Sequence, residues 1–189
     1  GVISATATNK ILNTDLLGSY SSVFINDQTA TAFGVHNEGT VTGELSNSGT
    51  ISVTANNIID QVNLTNSSYY AYIDEQAASA TGIYQNGTVG TGLSNTGIVT
   101  ATASNEITNT LLSDDSDTGY ISSQDADAYG IYQNGTLTTG DLSNTGSVTA
   151  AASNKLENVT IDSDEDDGAY IYAQSASAIG VYNSIDIAG

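Results

Sequence analysis

Apolar and polar residues alternate in one short block of this chain, and the block occurs four times. It reads GVISATATN from Gly1, GTISVTANN from Gly49, GIVTATASN from Gly97 and GSVTAAASN from Gly146, at spacings of 48, 48 and 49. Ile3, Ala5 and Ala7 alternate with Ser4, Thr6 and Thr8. Ile51, Val53 and Ala55 do the same, as do Val99, Ala101 and Ala103, then Val148, Ala150 and Ala152. A period of two predicts a strand with one buried face. The buried side carries β-branched residues and alanines, which suit a narrow core; Ser and Thr take the wet side.

Two further blocks keep the same phase. ATAFGVHN from Ala30 returns as ASATGIYQN from Ala78, ADAYGIYQN from Ala126 and ASAIGVYN from Ala176. LSNSG at Leu45 returns as LSNTG at Leu93 and Leu142. Heptads are absent, and Ser, Thr, Asn and Gly are frequent, so helices are not expected. Self-similarity at a fixed period marks a repeat architecture. The prediction is an all-β parallel β-helix, or solenoid, formed as one domain over 1–189, with repeats at about 1–48, 49–96, 97–145 and 146–189. Asn86-Gly87 and Asn134-Gly135 are compatible with hairpin turns, but the long-range repeat favours solenoid corners.

A coil of roughly two dozen residues puts about two coils in each repeat. Eight coils about 4.8 Å apart would make a rod of nearly 40 Å. Equivalent residues should line up as ladders: Phe24, Tyr72, Tyr120 and Tyr170; His36, Tyr84, Tyr132 and Tyr182; Asn9, Asn57, Asn105 and Asn154. Stacked amides and aromatic rings stabilise parallel in-register strands. With two coils per repeat, these matches would recur on every second coil.

The motifs L-S-N-[ST]-G-x-[IV]-x-A-x-A and A-x-A-x-G-[IV]-Y resemble repeats of very large bacterial surface proteins, among them autotransporter passenger domains and filamentous-haemagglutinin-like adhesins. The resemblance covers the whole chain and is one of pattern. It implies a secreted, right-handed parallel β-helix exposed at the cell surface, serving in adhesion or as a spacer. It brings no catalytic residues.

Charge narrows the partners. Twenty-one acidic residues stand against Lys10 and Lys155, a formal net charge of −19. Phosphate backbones would repel such a chain, so nucleic acid is not an expected partner. Anionic membrane surfaces are disfavoured likewise, and no apolar run approaches the roughly 20 residues of a membrane helix. The chain has no Cys, Pro, Met or Trp. Without cysteine there is no disulfide to indicate compartment. Without methionine Gly1 is not a translation start, so the chain is expected to be processed or excised.

Two acidic loops are the candidate metal site. Asp114, Ser116 and Thr118 precede Gly119, and Asp125 falls where a twelfth-position carboxylate would. In the second loop Ser163, Glu165 and Asp167 precede Gly168. Hard oxygen ligands on a Gly-containing loop suit calcium. Flanking helices are not evident, so this is not an EF-hand. The competing and preferred reading is a solvated loop tip that keeps the rod soluble.

Outward threonines form a second candidate. Ser4-x-Thr6, Ser52-x-Thr54 and Thr100-x-Thr102 resemble the flat arrays of ice-binding solenoids, but Thr149-x-Ala151 breaks the pattern. Thr29-x-Thr31 extends it, while Asp125-x-Asp127 at the equivalent position would spoil it. Threonine is also an ordinary strand residue on a wet face. Sequons occur at Asn63, Asn66, Asn86, Asn134 and Asn158, a frequency chance can produce in a chain this rich in Asn, Ser and Thr.

An enzyme is not expected. β-Helices host lyases and hydrolases, but uronate lyases need cationic groups and this chain has two lysines. A glycosidase needs paired carboxylates, and here the acids gather in variable loops. His36 is the sole histidine and its repeat equivalents are tyrosines, so it is assigned to a ladder rather than to base catalysis. Neither end carries an evident cap, and Gly189 shares the phase of Gly1, Gly49, Gly97 and Gly146. End-to-end self-association, or covalent continuation in a longer array, is therefore the expected partnership. The functional expectation is an extracellular stalk or filament segment; the alternative is an adhesin for glycans or cell-surface partners, with calcium dependence as one form of it.

Overall fold

A computed structural model describes residues 1–67, 69–114, 118–162 and 168–184, with Asp114 described by its backbone alone. The first coil contains β1 (Val2–Gly18), β2 (Val23–Ile25), β3 (Gln28–Asn37), β4 (Thr40–Val41) and β5 (Leu45–Asn47). The second repeats this as β6 (Thr50–Asn66), β7 (Ala71–Ile73), β8 (Gln76–Gln85), β9 (Thr88–Val89) and β10 (Leu93–Asn95). The third comprises β11 (Ile98–Asp114), β12 (Gly119–Ile121), β13 (Gln124–Gln133), β14 (Thr136–Leu137) and β15 (Leu142–Asn144). The fourth has β16 (Ser147–Asp162), β17 (Ala169–Ile171) and β18 (Gln174–Asn183).

Among the described residues each strand pairs in parallel with its repeat equivalents and with no other strand. The five sheets are β1-β6-β11-β16, β2-β7-β12-β17, β3-β8-β13-β18, β4-β9-β14 and β5-β10-β15. The molecule is a parallel β-solenoid, as the alternation predicts. Asn86 N and Gly87 N both donate to Asn37 O of the preceding coil, so the Asn-Gly pairs are corners and not hairpins.

The expected two coils per repeat is corrected to one. Ile3 pairs with Ile51, and Ile51 with Val99, with no strand between them. The two alternating blocks within a repeat are opposite walls of one wide coil, which the inward residues of both walls join in one core cluster. The estimate of two dozen residues failed because the strands of the first sheet run to 17 residues. Four coils at about 4.8 Å make a stack of only about 19 Å, half the expected length.

A residue in the left-handed region bends each long strand. Asn13, Gln61, Asn109 and Asn158 have φ of 51°, 56°, 48° and 52°. In β6 the inward residues are Ile51, Val53, Ala55, Asn57 and Ile59 before the bend, then Val62, Leu64 and Asn66 after it. One residue in the left-handed conformation has shifted the phase of the alternation. Asparagine, at three of the four positions, tolerates this conformation better than most side chains.

The bend divides the interior. On one side Ile51, Val53, Ala55, Val99 and Ala101 face Ala78, Ala80, Ile83, Ala126 and Leu93. On the other Ile59, Val62, Leu64, Ile107 and Leu112 face Ala71, Ile73 and Ile121. Small residues let the walls approach in the first compartment. A Cβ on Gly82 would lie 2.2 Å from Val99 Cγ1, and one on Gly130 2.1 Å from Val148 Cγ1. The branched residue of the next coil thus fills the space that glycine leaves open. Burial depends on having a neighbouring coil: Ile3 is 42% exposed, Ile51 1% and Val99 0%.

Length differences are absorbed at corners. Val89 pairs with Leu137 at a separation of 48, and Leu93 with Leu142 at 49. The extra residue lies in the third coil, between Leu137 and Leu142, and the facing turn of the second coil accommodates it: Gly92 adopts φ 121° and Leu93 N donates to Asp141 O at 3.1 Å.

Candidate functional surface

Side-chain amides form the polar skeleton of the solenoid. Asn9 donates to Asn57 Oδ1, Asn57 to Asn105 and Asn105 to Asn154, each at 2.9 Å. The same amides reach across to the facing sheet: Asn9 to Thr29 O at 2.8 Å, Asn57 to Ala77 O at 2.9 Å and Asn105 to Asp125 O at 2.8 Å. Beside them Gln76 donates to Gln28 Oε1 at 2.8 Å and Gln124 to Gln76 Oε1 at 2.6 Å. Asn57, Asn105, Gln76 and Gln124 are fully buried and lie between the two apolar compartments. A buried amide is tolerable only when its donors and acceptors are used. In a parallel stack each amide can supply the partner for the next, as along the Asn ladder, whereas the Gln ladder stops at Gln124, whose Oε1 is buried without a donor.

Corner ladders work the same way. Asn47 donates to Asn95 Oδ1 and Asn95 to Asn144 Oδ1, both at 2.7 Å, while Asn47 Oδ1 accepts from Gly49 N at 3.1 Å. The Leu-Ser-Asn-[Ser/Thr]-Gly motif is therefore a corner: Leu enters the core, Asn links coils and caps its own turn, and Gly allows the next coil to approach. A Cβ on Gly97 would lie 2.1 Å from Gly49 O.

Aromatic columns run along the outside. Phe24, Tyr72, Tyr120 and Tyr170 are in register, as are His36, Tyr84, Tyr132 and Tyr182. Tyr72 and Tyr120 stack with centroids 4.7 Å apart and planes at 6°; Tyr84 and Tyr132 stack at 5.1 Å and 6°, and Tyr132 and Tyr182 at 4.8 Å and 13°. Adjacent coils, rather than alternate ones, supply these contacts. Within the stacks the ring faces cover one another, leaving edges and hydroxyls for solvent. Burial raises the pKa of Tyr120, Tyr129 and Tyr132, with the neighbouring phenols and, at Tyr129, Asp127 adding to the shift.

His36 occupies its ladder position. It stacks on Phe33 at 4.5 Å, meets Tyr84 edge-on at 4.8 Å and lies 3.3 Å from exposed Glu38. Lys155 contacts Glu157 at 2.5 Å; the hydrogen bond and charge of Glu157 raise the lysine pKa, but the pair is exposed. Asp60 accepts from Asn109 at 2.9 Å and Thr108 at 2.8 Å, and these bonds hold its carboxyl below its ordinary pKa.

Of the candidate calcium ligands, Ser116, Glu165 and Asp167 lie outside the described residues, as does the side chain of Asp114. Thr118 precedes β12, and Asp125 is the second residue of β13, its carbonyl held by Asn105. Among the described residues no cluster of three or more His, Asp or Glu side chains could hold a metal.

Ser4, Ser52, Thr100 and Thr149 form one outward column, and Thr6, Thr54, Thr102 and Ala151 the next. Thr29 and Thr31 lie on the opposite wall, not on an intervening coil, so they cannot extend that array. Of the sequons, Asn66 is fully buried and donates to Ser21 O at 2.8 Å, which closes it to a transferase in the folded chain.

No protein-family model, curated protein or solved structure matches the chain.

The struts from Asn57 and Asn105, the bend and the second compartment were missed in the sequence. Signals were present: Asn13, Gln61, Asn109 and Asn158 share a repeat position, and Val62, Leu64 and Asn66 resume the alternation one residue out of step.

Proposed function

We propose that this chain is a length of extracellular structural rod, a β-helical stalk or filament segment of a surface protein. The observation that carries this reading is the register: in every sheet each residue meets its own repeat equivalent, so the molecule is built by translating one coil along an axis. Axial growth by one coil prolongs every amide, glycine and aromatic column at once. The exposed edge of the first coil has a recess lined by Thr8, Asn9, Lys10, Asp27, Gln28 and Thr29, directly over the ends of the Asn and Gln ladders. A further coil, from a longer array or a second copy, would fill it with the same amides.

The role is mechanical rather than enzymatic. Load along the axis is shared by all the parallel strands of a coil. The acidic surface, at a formal net charge of −19, keeps rods apart in solution. The resemblance of the repeat motifs to those of large bacterial surface proteins agrees with an extracellular location. Antibodies raised against the chain should label unpermeabilised cells of its source, on projections visible by electron microscopy. Labelling that requires permeabilisation would overturn the surface assignment.

A further inference from the structure

We propose that the tyrosine columns are sites of oxidative cross-linking, at which dityrosine bonds staple successive coils of the rod. Two independent features support this, and neither depends on where the rod is displayed. The first is composition. The chain has 11 tyrosines and no Cys, Met or Trp. The side chains that ordinarily intercept oxidants are missing, so one-electron oxidation falls on phenols.

The second is placement. Tyr72–Tyr120, Tyr84–Tyr132 and Tyr132–Tyr182 are stacked pairs on neighbouring strands, with centroids 4.7, 5.1 and 4.8 Å apart and planes within 13° of parallel. Parallel in-register strands set successive rings face to face with near-parallel planes, so the ortho carbons of one ring belong to the layer next to those of the other. Rotation about the side-chain torsions closes the remaining gap. Two radicals held this way meet far more often than radicals on separate chains at low concentration. Phe24 stacks on Tyr72 at 5.0 Å but carries no phenol, so it ends its column chemically.

The co-reactants are hydrogen peroxide and a haem peroxidase. Each of two phenols gives up one electron and one proton, and the peroxide takes up both pairs to become two waters. The two phenoxyl radicals combine through a carbon–carbon bond between ortho positions. The hydrogen on each ortho carbon then moves to the oxygen, restoring both phenols. The protein loses two hydrogen atoms per bond. Tyr132, with two ortho carbons and a stacked neighbour on either side, can join three coils.

The test uses the whole chain at low micromolar concentration, treated with horseradish peroxidase and hydrogen peroxide. It is then digested with an Asp- and Glu-directed protease and mapped by mass spectrometry. The expected products are monomers lighter by two hydrogens per bond, with Tyr72 joined to Tyr120 and Tyr132 joined to Tyr84 or Tyr182. Blue dityrosine fluorescence should accompany them, and the thermal midpoint should rise. Tyr132→Phe should abolish coupling in the second column and leave Tyr72–Tyr120 intact; Tyr120→Phe should do the reverse. Coupling confined to Tyr20, Tyr69 and Tyr70, products that are solely intermolecular, or no dityrosine at all would overturn the proposal.

Discussion

The side-chain amide of Asn105 donates across the interior to the backbone carbonyl of Asp125, at 2.8 Å, and to Asn154 Oδ1 at 2.9 Å, while its own oxygen accepts from Asn57. One buried side chain thus joins two walls and three coils. Leucine would fill a similar volume but take the Asn105 donor away from the Asp125 carbonyl and from Asn154 Oδ1, while the Asn57 amide keeps its bonds to Ala77 O and Gln28 O. A buried group that loses its partner costs about 1–3 kcal/mol, so Asn105→Leu should destabilise the chain by about 1–3 kcal/mol. Asn9→Leu takes donors from Thr29 O and Asn57 Oδ1 at the exposed end of the ladder and should cost less. Denaturant titration of both variants checks this; equal losses would mean that the ladder does not transmit the effect.

Gln61 holds φ at 56° in the bend of β6. A left-handed backbone costs a side-chain-bearing residue about 1–2 kcal/mol, and glycine gives back part of that gain through unfolded-chain entropy. Gln61→Gly should therefore stabilise by about 0.5–1 kcal/mol. Gln61→Val, β-branched, should destabilise by about 1–2 kcal/mol. The same ordering at thermal midpoints would confirm the bend as a conformational requirement.

The wall-forming strands were legible because Ile51, Val53 and Ala55 alternate with polar residues in every copy. The ladders were legible because repeat equivalence implies register. Coil number was not legible, since alternation reports which face of a strand is buried and nothing about which strand lies beside it. Both walls of a wide coil alternate just as two stacked coils would. The bend was hidden for a related reason: Ile58 and Ile59 look like one apolar run until the left-handed residue at Gln61 resets the phase. Metal binding could be read only as a loop composition, because ligand geometry depends on backbone that no periodicity constrains.

Glycine at Gly97 should be irreplaceable. Alanine there would bring a Cβ to 2.1 Å from Gly49 O, a backbone atom with no rotamer to change. Gly97→Ala should cost about 1–3 kcal/mol through forced separation of coils. Gly43 has no atom within 4 Å of an added Cβ, and Gly43→Ala should be neutral or stabilise by up to about 1 kcal/mol. Paired melting curves separate a close-packing requirement from a general preference for glycine in turns.

Stability should fall on the alkaline side through the outer tyrosines. Burial, then neighbouring charge, raises the pKa of Tyr120, Tyr129 and Tyr132 in the folded chain. The unfolded chain therefore releases these protons first as pH climbs past about 10, and their release favours unfolding. Their contribution is complete below that pH and is lost as pH rises through the higher folded values. The thermal midpoint should hold from neutrality to about pH 10 and then decline. Phenylalanine at all three positions should blunt the decline, since it removes the protons that the unfolded chain would give up. A decline of equal steepness in the triple variant would assign alkaline unfolding to other groups.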